Sequence, residues 1–410
     1  MKSYHENRKQ HKTWERIQVG QDQQLPERVE VVVEDILGAA KEELLALSVA
    51  VGFQVMQRMM EEEVTAIVGP KGKHNRARQA VRHGQENGSV VLGGRRIAIK
   101  RPRVRSTDGQ EVQLESYAAF QDEHLLTMVA LERMLHGLSS RRYQHGLEPV
   151  GEDLPASGTS KSTISRRFIR ATRHALHELM GRRLDDQRYL VLMVDGVEMA
   201  EHAVVVALGI DAEGRKHILG LREGATENAA VVRELLSDLV ERGLKTDEGI
   251  LVVIDGAKAL RAAVRQVFGK QAQVQRCQVH KKRNVLEHLP ERERTWVGHK
   301  LQQAWQEADY DKALAALHRL ADTLEKQYPG AASSLREGLE ETLTLTRLGV
   351  PETLRRTLRS TNAIESAFDK VRVASRNVKR WRNGEQVLRW SAAGLLEAEK
   401  GFRRIKGYRE

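Results

Sequence analysis

The sequence predicts an α/β protein: a sheet-forming core, interrupted by an all-helical insertion, behind an N-terminal, mainly helical region that carries a basic β-hairpin. Three observations predict it. Apolar runs of strand length cluster between residues 189 and 277, with helical spacing between them. The stretch from Lys281 to about Arg356 has helical spacing throughout. Before residue 185, helical segments flank one run in which apolar and basic residues alternate.

Residues 1–26 are polar and are expected to carry no apolar signal core over Met1 to Gln24. From Pro26 to Glu63 the spacing is helical: Val29, Val32, Ile36, Leu37 and Ala40 recur at steps of three and four, followed by Leu44, Leu45, Leu47 and Val51. Gly69-Pro70 ends the segment. Lys71–Arg105 then holds eleven Lys and Arg against one acid, Glu86, a net of +10 in a chain of formal charge +11. Within it, Ser89–Leu92, Gly93-Gly94 and Arg95–Ile99 read as a hairpin. Alternation puts Ile97 and Ile99 on one face and Arg96 and Lys100 on the other. With Arg95, Arg101 and Arg103, such a ribbon suits a phosphate backbone. The alternative is a solvated edge strand whose charges oppose aggregation. Asp122–Leu138 is the next helix, and a loop with Pro149, Gly151, Pro155 and Gly158 follows. A further helix opens at Ser162, with Ser160 or Ser162 as its cap. The pair resembles a helix-turn-helix that would present Lys161, Ser165, Arg166 and Arg170 to a groove; plain helix packing is the competing reading.

From Arg188 the period changes to that of strands. Tyr189–Val194, His202–Ile210 and His217–Leu221 are three, with a turn at Asp211–Gly214. A helix over Glu227–Leu244, a strand over Ile250–Ile254, a helix over Ala257–Phe268 and a strand over Val274–Cys277 follow. Three antiparallel strands, helix, strand, helix, strand is the order of a ribonuclease H-like core. Val285–Leu289, Trp296–Trp305, Tyr310–Tyr328 and Ala331–Leu348 are the predicted pieces of the insertion, and Glu352–Gly401 closes the chain with more helix.

A chain of 410 residues suggests two or three domains, and its pI near 9.7 suggests a polyanionic partner. No apolar run is long enough to span a bilayer, so no membrane partner is expected. The single cysteine, Cys277, excludes an internal disulfide and suits a reducing cytoplasm. Nucleic acid is then the leading partner, and 1–185 is the predicted DNA-binding region. Residues 186–280 form the first part of the core, 281–355 the insertion, and 356–410 the helices that complete the core.

The chemistry rests on three acids. Asp195 and Asp255 each end a buried strand run and precede a glycine. An acid there is costly unless a cation compensates it. Glu365 lies in Ser360-Thr-Asn-Ala-Ile-Glu365, where Thr361 or Asn362 would begin a helix and hold Glu365 in its first turn. Two aspartates and a glutamate are hard oxygen ligands for Mg²⁺ or Mn²⁺, and two such ions serve in-line phosphodiester chemistry. Cys277 and His280 supply only two ligands where a structural zinc wants four, so no zinc is expected. Trp381, beside Lys379, Arg380 and Arg382, either stacks on a nucleotide or is a half-buried packing residue.

These residues resemble a known family. Asp195-Gly-Val, Leu208-Gly-Ile-Asp211, Gly220 through Glu227-Asn228, Asp255-Gly, Arg276-Cys-Gln-Val-His-Lys281 and Ser360–Glu365 are similar to the Mutator-type transposases of bacterial insertion sequences, which carry an Asp-Asp-Glu triad. The resemblance runs from about residue 65 to 400. It implies that Asp195, Asp255 and Glu365 are catalytic and hold the metal, that a helical insertion separates the second acid from the third, and that His280, Asn362 and Arg372 support the site. It also implies DNA partners (terminal inverted repeats and target), a homodimer on paired ends, and a place in the bacterial cytoplasm with the nucleoid. A cellular nuclease on the same core is one alternative. It needs neither the insertion nor an end-binding region. A regulator that has lost catalysis is another, and it predicts the loss of an acid.

Overall fold

The computed structural model describes residues 41–73, 78–148, 150, 154–199, 201–224 and 229–409. The helical spacing from Val29 to Ala40, loop residues Pro149 and Gly151, and Glu227-Asn228 lie outside them.

Helix α1 (Lys41–Val68) packs on a hairpin of β1 (Ala80–Leu92) and β2 (Arg95–Ser106). Leu92 pairs with Arg95, and both turn residues, Gly93 and Gly94, have positive φ (57° and 75°), as this two-residue turn requires. The hairpin is longer than the apolar run predicts. Its ladder continues through polar Asn87, Glu86 and Gln85, and past an irregularity between Arg82 and Gln85 where Gly84 takes φ 77°. Val90, Ile97, Ile99 and Val104 pack with Val49, Met60 and Val64 of α1. Two short strands, β3 (Glu111–Val112) and β4 (Ala156–Ser157), pair with β2.

Beyond α2 (Glu115–Ala119), helix α3 (Glu123–Leu135) packs against α4 (Lys161–Gly181), whose cap Ser160 accepts from the Thr163 N–H at 3.3 Å. The chain between α3 and α4 includes β4, so the tight connection of a helix-turn-helix is absent here. At its start α4 buries Ile164 and Phe168 beside Ala130 and Met134 of α3. At its end Leu179 enters the core of the larger sheet. A boundary at residue 185 therefore does not separate two packed units, because a helix of this length, about 30 Å, reaches both cores.

The larger sheet holds β5 (Tyr189–Met199), β6 (His202–Asp211), β7 (Lys216–Gly224), β8 (Ile250–Ile254) and β9 (Ala272–Arg276), in the order β7-β6-β5-β8-β9. β5, β6 and β7 are antiparallel, whereas β8 and β9 run parallel to β5. Helices α5 (Ala229–Glu241) and α6 (Lys258–Phe268) make the crossovers and cover Leu192, Val194, Val252 and Ile254. Both faces are buried, which explains the continuous apolar runs. One expectation is corrected: β5 does not end at Asp195. Gly196–Met199 stay in the ladder opposite His202–Val205, because β6 extends alongside them.

The insertion comprises α7 (Gln278–Glu287), α8 (Glu291–Gln306), α9 (Tyr310–Glu325) and α10 (Pro329–Arg336), around Val297, Leu301, Leu317, Leu324 and Leu335. The single helix expected over 331–348 is broken after α10. Gly338 takes φ 62° there, where a Cβ would meet the Arg276 guanidinium at 2.6 Å, before α11 (Thr344–Arg347). After α12 (Glu352–Leu358), helices α13 (Asn362–Ser375) and α14 (Gly384–Glu399) cover the other sheet face with Ile364, Phe368, Val371 and Leu395. Among the described residues no helix is long and apolar enough to cross a membrane.

Candidate metal centre

Strand parity decides where the two aspartates point. Val191, Met193 and Val197 of β5 face α13 and α14, and Asp195 shares their parity. On β8, Val253 faces the same way, and Asp255 follows two residues later. The parallel register pairs Val194 with Ile254, so Asp195 and Asp255 come next on adjacent chains. Over them lies the start of α13. Ile364 and Phe368 anchor that helix in the core, which leaves Glu365 at its edge in the first turn.

His280 arrives from α7. The Cys277 N–H donates to the Ile254 carbonyl (2.7 Å) and the Gln278 N–H to the Arg359 carbonyl (2.8 Å). These bonds tie the start of α7 to the end of β8 and to the chain entering α13. One turn on, His280 Nε2 lies 3.2 Å from Glu365 Oε1. Ligand atoms of Asp195, His280 and Glu365 all lie within 4.8 Å of one another. Asp255 does not join them: its Oδ1 accepts from the Ala257 N–H at 2.8 Å. Cys277 is not in the group either. Its buried sulfur lies 3.7 Å from Thr361 Oγ1.

The electrostatics are those of a site short of positive charge. Asp195 is 3% exposed. Burial pushes its carboxyl up to about 7; Asp255 and Glu365 add to this, whereas the Thr361 hydroxyl and His280 oppose it. His280 is raised to about 9, chiefly by the Cys277 sulfur beside it and then by Asp195 and Glu365, against the effect of burial. Its Nδ1 is buried without a hydrogen-bond partner among the described residues.

These donors fit a hard divalent cation: two carboxylates converge, one of them buried and driven toward protonation, with a third acid on the next strand. The sign of the pH dependence follows. Because the folded pKa of Asp195 lies above its unfolded value of 3.8, the group's contribution to metal-free stability falls as pH rises from there to about 7. A bound cation requires the ionised form. Mg²⁺ or Mn²⁺ at about a hundredfold excess over its Kd is expected to stabilise the fold by roughly 2.7 kcal/mol at pH 8 and by much less at pH 5.5. Thermal melts at both pH values, with and without the metal, check this; an increment equal at both would contradict it.

The other predicted residues fall into place unevenly. Asn362 is exposed, and buried Thr361, expected only as a cap, takes the position beside Asp195. Thr361 makes no side-chain cap bond. Arg372 is exposed, two turns beyond Glu365, and pairs with Asp369 at 2.9 Å. Arg95 is buried and donates to the Glu148 carbonyl, so it holds the hairpin turn and is not offered to a phosphate. Arg96 pairs with Glu123 (2.6 Å), Arg101 with Glu86 over the Tyr117 ring, and Arg103 with Glu111 (2.7 Å). Lys100, Lys161, Arg166, Arg170, Lys379 and Arg380 are exposed. Trp381 is half-buried and meets Trp390 edge-on at 6.4 Å, a packing role. Sequence reasoning missed Arg276 and Lys281 as docking residues. Both are buried, and both donate to carbonyls at the end of α10.

Residues 22–404 match the family model described as Transposase, Mutator family. The chain is 29% identical to the transposase for insertion sequence element ISRM5 of Rhizobium meliloti (strain 1021), over 86% of this chain and 88% of that one. It is 27% identical to the transposase for insertion sequence element IS256 in transposon Tn4001 of Staphylococcus aureus, over 84% and 87% respectively. With the transposase for insertion sequence element IS6120 of Mycolicibacterium smegmatis it shares 31% identity over 60% of this chain and 75% of that one. The match spans the sheet, the insertion and α13, and this chain belongs to the Mutator family of transposases.

Proposed function

We propose that this transposase cuts and joins DNA at the ends of its own insertion sequence, through a divalent-metal centre held by Asp195, Asp255 and Glu365. The observation that carries this reading is the convergence of Asp195 and Glu365, from a central strand and a distant helix, with Asp255 beside Asp195 on the next strand. The strand order supports a ribonuclease H-like core: three antiparallel strands, then two parallel ones reached through helices. The insertion enters after β9 and returns at α13 with the third acid. Mg²⁺ or Mn²⁺, as one ion or a pair, supplies charge stabilisation at the phosphate and a more acidic attacking water or 3′-hydroxyl.

The chain's own residues do the rest. His280 holds Glu365 through Nε2. The Thr361 hydroxyl favours the ionised form of Asp195. Element ends would lie along Lys161, Arg166 and Arg170 of α4 and Lys379 and Arg380 after α13. Ile164, Phe168, Ala374, Val378 and Trp381 join these elements in one apolar cluster. Arg96 and Arg170 both act on Glu123, which brings the hairpin's basic face alongside. One centre per chain and two ends per element imply at least two copies in the assembly that joins them.

The test is incubation of the purified chain with end-labelled duplex carrying the element's terminal inverted repeats. Cleavage in Mg²⁺ or Mn²⁺ and none in chelator is expected; cleavage that persists in chelator would refute the reading. For binding, Arg166→Ala with Arg170→Ala is expected to weaken end affinity about tenfold and to reduce the slope of log K against log salt by about 2, since each lost phosphate contact removes about 0.9. Arg96→Ala, whose guanidinium Glu123 and Ser89 already engage, is expected to change affinity less than about threefold. Gel shifts across a salt series check both; equal effects of the two would remove α4 from the DNA surface.

A further inference from the structure

A second basic track lies outside the residues assigned above. α6 has no acidic residue, and Leu260, Ala263, Val264 and Phe268 bury its inner face. Lys258, Arg261 and Arg265, at steps of three and four, line its outer face. That face is one wall of an open groove of about 1230 Å³ against α10, which continues past Arg261 and Arg265 into a second of about 840 Å³ containing Lys270 and Arg347. Among the described residues Lys258, Arg265 and Lys270 have no ion pair. On the opposite wall Glu341 is engaged by Arg261 (2.5 Å) and Arg276 (3.5 Å), and Glu337 also lies by Arg276. Glu287, which lies by Arg283 (4.0 Å), and Glu340 also line the grooves, but neither is paired with a cation of α6.

The track's position gives it a ligand. It starts at Lys258, three residues after Asp255, and runs along α6 to Lys270, beside the edge strand β9. The other edge strand, β7, is packed by the C-terminal end of α4, whereas Lys161, Arg166 and Arg170 sit at the N-terminal end of that helix. Five strands set these edges about 19 Å apart, with the acids between them. DNA whose cut bond lies at the acids meets Lys258 first, at the strand end that also carries Asp255, and the groove leads on from there. From Lys258 to Arg265 the helix rises about 10 Å, which is about three phosphate steps of one strand.

We propose that this groove holds the DNA flank beyond the cut bond, through sequence-independent phosphate contacts from Lys258, Arg265 and Lys270; the proposal rests on the strand-cleavage reading above. Arg265 and Lys270 are exposed and remote from the acids, so they are the residues to change. The full-length chain is given duplexes that carry one terminal repeat with either 3 or 12 base pairs of flank. Wild type is expected to cut the long-flank duplex at about tenfold higher kcat/KM, mostly through KM. Arg265→Ala with Lys270→Ala is expected to abolish that preference, with an unchanged melting temperature and unchanged joining of pre-cut ends to a target plasmid. Arg265→Lys with Lys270→Arg is expected to keep it. A double-alanine variant that retains the preference, or that loses only joining to the target, would overturn the proposal, as would a wild type indifferent to flank length. A wild type that cuts neither duplex would instead defeat the cleavage reading itself.

Discussion

Asp195→Asn, Asp255→Asn and Glu365→Gln are each expected to lower strand cleavage by about a thousandfold or more, while end affinity stays within about threefold. Each change keeps the side chain's shape and removes its charge, so it acts on the cation and leaves the packing alone. The cations proposed for end binding lie on α4 and after α13, away from the acids. Asp195→Asn carries a second signature. Its carboxyl is buried, pushed up to about 7 and flanked by two acids, so a neutral amide there is expected to raise the metal-free melting temperature at pH 8. A stability gain joined to a loss of function marks a site shaped for a ligand rather than for the fold. Cleavage assays and melts on the three variants check this. If any one of them cleaved within tenfold of wild type, that residue would leave the triad.

The second large effect is expected at Lys281. This buried ammonium donates to the Ser334 and Glu337 carbonyls (2.5 and 2.6 Å) at the C-terminal end of α10, where a helix favours a cation. Burial and then Arg276 lower its pKa to about 8, so it is held there at some cost. Lys281→Ala takes the ammonium donor from the Ser334 carbonyl and leaves the Glu337 carbonyl to Arg276 alone, and is expected to destabilise the fold by about 1–3 kcal/mol. Lys281 is the next residue after His280, and the Arg276 guanidinium donates to the same Glu337 carbonyl at 2.9 Å. Loosening α10 should therefore also disturb the ring that holds Glu365. Denaturant melts together with cleavage rates check this; an unaltered melt would show that the insertion docks by other contacts.

The parts of the site legible in the sequence are those fixed by short-range periodicity. A period of two along Val191–Val197 and Leu251–Asp255 is enough to place both aspartates on one face, and parallel pairing makes them neighbours. Glu365 is legible from the helical spacing of Ile364, Phe368 and Val371 that begins beside it. Long-range contacts are not legible. Thr361 looks like a helix cap, and only the fold shows its hydroxyl near Cys277 and Asp195. Arg276 and Lys281 bracket a motif read only for Cys277 and His280, and carbonyls of the insertion take them up. Arg95 sits beside Arg96 in an alternating strand, but the chain around Glu148 closes over it. The end of β5 was misplaced because an Asp-Gly pair resembles a turn, whereas Gly196 here continues a ladder.

The most direct test of the proposed centre replaces Mg²⁺ by Fe²⁺ and uses peroxide to cut the protein backbone next to the bound ion. Cuts are expected near residues 195, 255, 280 and 361–365, suppressed by excess Mg²⁺ and lost in Asp195→Asn. Cuts confined to other segments, or cuts at these positions that Mg²⁺ does not suppress, would contradict a divalent-metal centre built on Asp195, Asp255 and Glu365.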